Sequence, residues 1–217
     1  MLWIYTDIIS DEISDEILKQ AEINPISKKD SKLGHSVNKT IRDSYEIHCN
    51  SNFLNSLPKE ACKRFSDSPK KLALNQVSGF TGNGTPKESD ILSIINKYIP
   101  PVFNNKKLIG IDKNTFYLLS YKPGQFFKPH KDGCSQDSFG NKSLITALLY
   151  LSNPIGGDIR FYNEHEKGIV FTSDTNFIDI KCNKNTLILM WHDIKHESLP
   201  VLKGVKYVLR FNILYEK

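Results

Sequence analysis

Tyr121-Lys-Pro-Gly-Gln-Phe-Phe-Lys-Pro-His130-Lys-Asp132 is the stretch on which the reading of this chain turns. Lys122-Pro123-Gly124 marks a turn, and the run from Phe126 to Pro129 reads as a short strand. Side chains two apart on a strand point the same way, so His130 and Asp132 present an imidazole and a carboxylate toward one point. A third donor has to come from far along the chain. His196 is the candidate because Pro200-Val201 and Gly204-x-Lys206 follow it, whereas His192 competes from a predicted turn without that spacing. Two histidines and one carboxylate on one side of a metal leave its other positions open, which suits non-haem Fe(II). The bland alternative is that His130 and Asp132 are solvated residues at a strand end.

Outward from this stretch, the second half is built of short apolar runs bounded by Gly, Pro, Asn or Asp. They are Phe116–Tyr121, Phe126–Pro129, Leu144–Leu151, Ile159–Tyr162, Phe177–Ile180, Leu187–Trp191 and Lys206–Tyr215. Short strands with tight turns predict an antiparallel double-sheet jelly roll whose mouth holds a ligand. In the last run Tyr207, Leu209, Phe211, Ile213 and Tyr215 form one apolar face. Lys206, Arg210 and Asn212 then face either water or, in a jelly roll, the pocket.

The first half reads differently. Ser10 caps a helix with Asp11 and Glu12 in its first turn and Ile13, Ile17, Leu18 and Ala21 on one stripe, closed by Pro25. Thr40–Ser44 reads as a short strand, Pro58–Phe65 as a short helix and Leu72–Val77 as a further strand. Thr85-Pro86-Lys87-Glu88 forms a capping box before a helix with Ile91, Ile94, Ile95 and Tyr98 on its buried stripe. The expectation is an α+β chain: a double-stranded β-helix (jelly-roll, cupin-like) core over 112–217, with N-terminal supporting helices. Residues 1–111 are expected to be mainly helical support, and residues 1–217 to act as a single catalytic unit.

Composition narrows the classes. At 217 residues, 39% hydrophobic and 24% charged, the chain has the make-up of one ordinary globular domain. Its net charge of +5 is scattered, with no basic block of the kind that forms a nucleic-acid tail. The N-terminal apolar run is too short for a signal peptide, and no run approaches a membrane span, so a soluble, cytoplasmic protein with no membrane partner is expected. Cys49, Cys62, Cys134 and Cys182 form no Cys-x-x-Cys pair, which fits reduced thiols; Cys134 reads as a passive loop cysteine.

Taken in order, Leu118-Leu-Ser-Tyr121-x-x-Gly124-Gln125-Phe-Phe-x-Pro129-His130-x-Asp132, Thr146-Ala-Leu-Leu-Tyr150-Leu151, Gly156-Gly157 and His196-Glu197-x-x-Pro200-Val201-x-x-Gly204-x-Lys206-Tyr207 resemble one family. It is the prolyl 4-hydroxylase-like branch of the Fe(II)/2-oxoglutarate-dependent dioxygenases. The resemblance covers about residues 112 to 217, with weaker echoes in the first helix and in Ile41-Arg42-Asp43-Ser44. It implies that His130, Asp132 and His196 hold Fe(II) as the catalytic centre. It implies also that Lys206 pairs with the far carboxylate of 2-oxoglutarate, that Tyr121 and Thr146 supply hydroxyls to that carboxylate, and that Arg210 is the substitute anchor. O2 is the co-reactant, and ascorbate serves as the reductant.

The implied reaction is hydroxylation of a peptidyl residue in a peptide or protein partner, with proline as the target of procollagen-proline 4-dioxygenase-like enzymes. Three departures bear on the substrate rather than the metal. Phe127 stands where a tyrosine is usual, Asn212 where a tryptophan is common, and Asp158-Ile159-Arg160 follows the glycine pair. A small molecule or a nucleic-acid base is the alternative substrate. A jelly roll that only binds is the alternative of another class.

Overall fold

The computed structural model describes residues 1–23, 29–30, 38–49, 91–164 and 176–217. Its framework is two antiparallel sheets facing each other, the curled double-stranded β-helix expected from the spacing of the turns. The larger sheet runs in the order β1 (Leu2–Tyr5), β13 (Leu187–Trp191), β9 (Lys142–Tyr150), β16 (Lys206–Tyr215), β7 (Tyr117–Tyr121), β4 (Tyr45–His48) and β2 (Lys29–Asp30). The smaller has β12 (Phe177–Ile180), β11 (Ile159–Tyr162), β14 (His196–Ser198), β8 (Phe126–His130) and β3 (Arg42–Asp43). β5 (Val102–Phe103) and β6 (Lys106–Ile111) extend the large sheet beside the far end of β16, and β10 (Ile155–Gly156) pairs with β15 (Val201–Lys203).

The central strands of the large sheet are buried on both faces, which is why they read as continuous apolar runs. Leu149, Leu187, Leu189, Leu209 and Phe211 share the outer cluster with Ile13 and Ile17 of α1 (Asp11–Ile23) and Ile91, Ile94 and Ile95 of α2 (Ile91–Asn96). Leu148, Tyr150, Ile188, Met190 and Val208 point the other way, into the barrel, against Ile159 and Phe161 of the small sheet. Both helices therefore cover the back of the sheet whose front forms the pocket. The Ser10 hydroxyl accepts from the Ile13 N–H at 3.4 Å, and α1 begins at Asp11 as that cap dictates.

One expectation needs correction. Among the described residues, 1–111 are not mainly helical: besides α1 and α2 they hold β1 to β6, and β1, β4 and β6 complete the large sheet. β1 is a strand because Leu2–Tyr5 pairs with Leu187–Met190, a contact across almost the whole chain that leaves no local signature. The Pro58–Phe65 helix, the Leu72–Val77 strand and the capping box at 85–88 lie outside the described residues. Also among the described residues, no helix is long and apolar enough to cross a membrane.

Candidate active site

The pairing of β8 with β14 sets His130 directly opposite His196, so two residues distant in sequence become cross-strand neighbours with ring centroids 4.3 Å apart. Each ring is oriented the same way. The Nδ1–H of His130 donates to the Lys128 carbonyl at 2.8 Å and that of His196 to the Ile194 carbonyl at 2.9 Å, in both cases two residues back. Each Nε2 is thereby left as a lone pair facing the barrel. Phe127 stacks on His130 at 3.5 Å, and the Arg42 guanidinium lies 4.8 Å from the centre of the Phe127 ring, closing the stack from outside.

Asp132 completes the group. Its Oδ1 lies 3.8 Å from His130 Nε2, and one donor atom from each of the three residues falls within 4.8 Å of the others. Burial, then the neighbouring His196, pushes His130 down to about 3. Burial pushes the Asp132 carboxyl up, but Arg210, the two imidazoles and the Thr146 hydroxyl together hold it well below the usual carboxylate range. Near neutral pH His130 thus offers an imidazole lone pair and Asp132 a carboxylate, the protonation states that bind a metal. A borderline cation with preference for nitrogen and oxygen donors fits this set.

Lys206 shares a cavity with the three donors. The cavity has a volume of about 480 Å³ and is lined also by Arg42, His48, Tyr117, Tyr121, Tyr150 and Ser198. Lys206 is 2% exposed, and its ammonium donates to the Gly157 carbonyl at 2.6 Å and to the Ser198 hydroxyl at 2.8 Å. The rings of Tyr121 and Tyr150 stand 5.2 and 5.5 Å from it. Among the described residues no carboxylate lies within ion-pairing distance of it. The glycine pair is explained here: Gly157 has φ +73°, and a Cβ on it would meet Val201 at 2.8 Å and the Lys206 chain at 3.3 Å.

Of the expected cosubstrate hydroxyls, the structure brings Tyr121 to Lys206, since the two are opposite each other across β7 and β16. Thr146 is not brought there, which corrects its expected role. It lies opposite Asn212, six residues further along β16 and so roughly 20 Å from Lys206 along the strand. Its hydroxyl donates instead to Asp132 Oδ2. Tyr150, four residues on from Thr146 and on the same face of β9, is the hydroxyl at the Lys206 end; the alternation of β9 was the signal for it. Thr146→Val is therefore expected to weaken metal binding by about 10–100-fold, as for other groups that orient a ligand, while leaving the Kd for 2-oxoglutarate unchanged. Calorimetry with Mn(II) and then with 2-oxoglutarate measures both.

His192 does not join the metal group. It is buried, among the described residues neither ring nitrogen has a hydrogen-bond partner, and burial lowers it to about 4. Because His130 and His192 both have folded values below the ordinary 6.5, the unfolded chain takes up protons that the fold refuses. Stability of the metal-free protein should fall as pH drops from 6.5 toward 4, by up to about 1.4 kcal/mol per unit for each group. Urea unfolding across that range should show the decline, and His192→Leu should flatten it; an unchanged slope in the variant would contradict the assignment.

The sequence profile described as the 2OG-Fe(II) oxygenase superfamily matches residues 116–214, which carry all three donors and Lys206. This segment belongs to that superfamily. The oxygenase fold extends to solved structures. A prolyl hydroxylase of Trichoplax adhaerens, solved with a hypoxia inducible factor oxygen degradation domain peptide fragment, is similar with a TM-score of 0.62 at 16% identity, over 98% of this chain and 83% of that one. A Pseudomonas putida prolyl-4-hydroxylase matches at 0.56 and 13% identity, over 100% and 92%. A viral collagen prolyl hydroxylase of Paramecium Bursaria Chlorella virus-1 matches at 0.51 and 17%, over 98% and 95%. An uncharacterized protein of Fowlpox virus (strain NVSL) is 31% identical over 106 residues, 48% of this chain, and the chain spans only 22% of that relative's length. The superfamily implies Fe(II) and 2-oxoglutarate, and His130, Asp132 and His196 are the donors in this oxygenase segment suited to the metal.

Proposed function

We propose that the chain acts as one catalytic unit, an Fe(II)- and 2-oxoglutarate-dependent dioxygenase that hydroxylates a peptidyl residue, with proline as the target. The observation that carries the reading is Lys206: a buried ammonium with no carboxylate among the described residues within ion-pairing distance, lining the same cavity as the three donors. Such a charge is costly unless an anion completes it, and a dicarboxylate does so. Lys206 and Arg210 lie on one face of β16, with Asp132 beside Arg210, so the lysine and the three donors line one cavity.

In this reading His130, Asp132 and His196 hold Fe(II). Lys206, Ser198, Tyr121 and Tyr150 hold the far carboxylate of 2-oxoglutarate. Bound Fe(II) supplies redox chemistry in which O2 and 2-oxoglutarate are consumed, one oxygen atom entering a substrate C–H bond and the other forming succinate with loss of CO2. The protein's own part is to orient. Burial pushes the Tyr150 hydroxyl well up, so it stays a neutral donor. The two carbonyl-anchored imidazoles keep their lone pairs inward, and Thr146 fixes Asp132. Support for a peptide substrate is the fold shared with prolyl hydroxylases, one of them solved with a peptide, and a cavity that opens past the donors to Arg42, His48 and Tyr117.

The test is succinate formation from 2-oxoglutarate with Fe(II), ascorbate and a panel of proline-containing peptides, with mass spectrometry of the peptides. Peptide-stimulated succinate with a matching gain of one oxygen on proline is expected. Succinate formed without any peptide effect would sink the peptidyl assignment, and no succinate at all would sink the oxygenase.

A further inference from the structure

We propose that Arg210 is a specificity-determining residue that pairs with a carboxylate on the substrate, so that the preferred peptides carry an acidic residue next to the one hydroxylated. This rests on the oxygenase reading above and goes beyond it by naming the substrate's charge. Arg210 lines the cavity, and its side chain is 20% exposed. Among the described residues its one ion-pair neighbour is Asp132 Oδ2 at 3.8 Å, beyond hydrogen-bond length, and the guanidinium donates no hydrogen bond. A planar fork of donors left open toward a cavity is built for a carboxylate.

The other cations of the cavity are committed. Arg42 Nε donates to the Ser44 hydroxyl at 3.2 Å and Arg42 Nη1 lies 3.9 Å from Glu46. Lys131 bridges Glu164 at 2.9 Å and Asp193 at 3.1 Å. Lys206 is placed for the cosubstrate. The charges of the loaded site point the same way. A dication held by one carboxylate and chelated by a dianionic cosubstrate keeps a single negative charge, which Lys206 cancels. Asp132 is then shared with the metal, and Arg210 is left as an uncompensated positive charge beside it. The 3.8 Å approach to a metal donor places the partner of Arg210 a few bonds from the reacting carbon, the reach of a residue adjacent to the target.

The experiment is calorimetric titration of the protein loaded with Mn(II), which replaces Fe(II) without turnover, and 2-oxoglutarate. Two peptide mixtures are compared, each with a central proline and mixed residues elsewhere, one with Asp or Glu flanking the proline and the other with Asn or Gln. The wild type should bind the acidic mixture about tenfold more tightly. Arg210→Gln, titrated at Mn(II) and 2-oxoglutarate concentrations that saturate it, should erase that difference while still binding 2-oxoglutarate. Equal binding of the two mixtures by the wild type would overturn the proposal. So would binding of neither mixture to protein that holds Mn(II) and 2-oxoglutarate, or a variant that loses 2-oxoglutarate in place of the acidic preference. A wild type that takes up neither Mn(II) nor 2-oxoglutarate would overturn the oxygenase reading itself, and this inference with it.

Discussion

His196→Ala is expected to abolish stoichiometric Fe(II) binding and to drop succinate formation to below about one-hundredth of wild type, since even groups that merely orient a ligand cost 10–100-fold when removed. The argument lies in the register. β14 is only three residues long, and its first residue faces His130 across the small sheet. No other described side chain can replace the lost donor from that side: His192, the alternative on sequence, lies outside the group of donors that converge. Removing the imidazole takes away a ligand whose ring is already held in place by the Ile194 carbonyl. The fold should survive, because β14 keeps its backbone pairing on both sides. Metal content by elemental analysis, with circular dichroism on the same sample, is the measurement. A variant that is folded and still holds one equivalent of Fe(II) would refute the assignment of the ligand.

Lys206→Met is expected to weaken 2-oxoglutarate by about 100-fold while leaving metal affinity intact, on the scale of one lost charge-assisted hydrogen bond to a carboxylate. A second consequence separates this role from a structural one. The wild-type ammonium rests on a carbonyl and a hydroxyl, with no carboxylate among the described residues within ion-pairing distance, so a methionine of similar length should cost the cosubstrate-free protein little or even stabilise it. Adding 2-oxoglutarate to metal-loaded wild type should raise Tm through binding to the folded state alone, and the variant should show no such rise. A large fall in Tm without cosubstrate would mean that Lys206 serves chiefly to hold β16 against the glycine pair. A rise with 2-oxoglutarate equal to that of wild type would mean that the anchor lies elsewhere.

Much of the framework was legible because strand signals are local. β11, β12, β13 and β16 have the bounds that their apolar runs and flanking turn residues suggest, and β7, β8 and β9 differ by a residue or two at their ends. Among the strands that went unread, β1, β4 and β6 exist through pairing with distant partners, and β2, β5, β10, β14 and β15 are only two or three residues long. Residues 1–111 looked mainly helical because capped amphipathic helices announce themselves within a few turns, while an edge strand does not.

The site divides along the same line. Residue identity and spacing were enough to show which donors are present and where the turn glycines before Lys206 lie; His130 closes β8 and Asp132 follows it outside the strand, so their convergence is a feature of the fold and not of strand parity. Packing of the two sheets sets the rest: His196 and not His192 faces His130, both faces of β16 are buried so Lys206 looks into a pocket and not into water, and Thr146 supports Asp132 while Tyr150 stands by Lys206. The physical reason is that a strand encodes which way its side chains point but not which strand lies beside it. That register comes from packing two sheets against each other, and it alone fixes which distant residues meet.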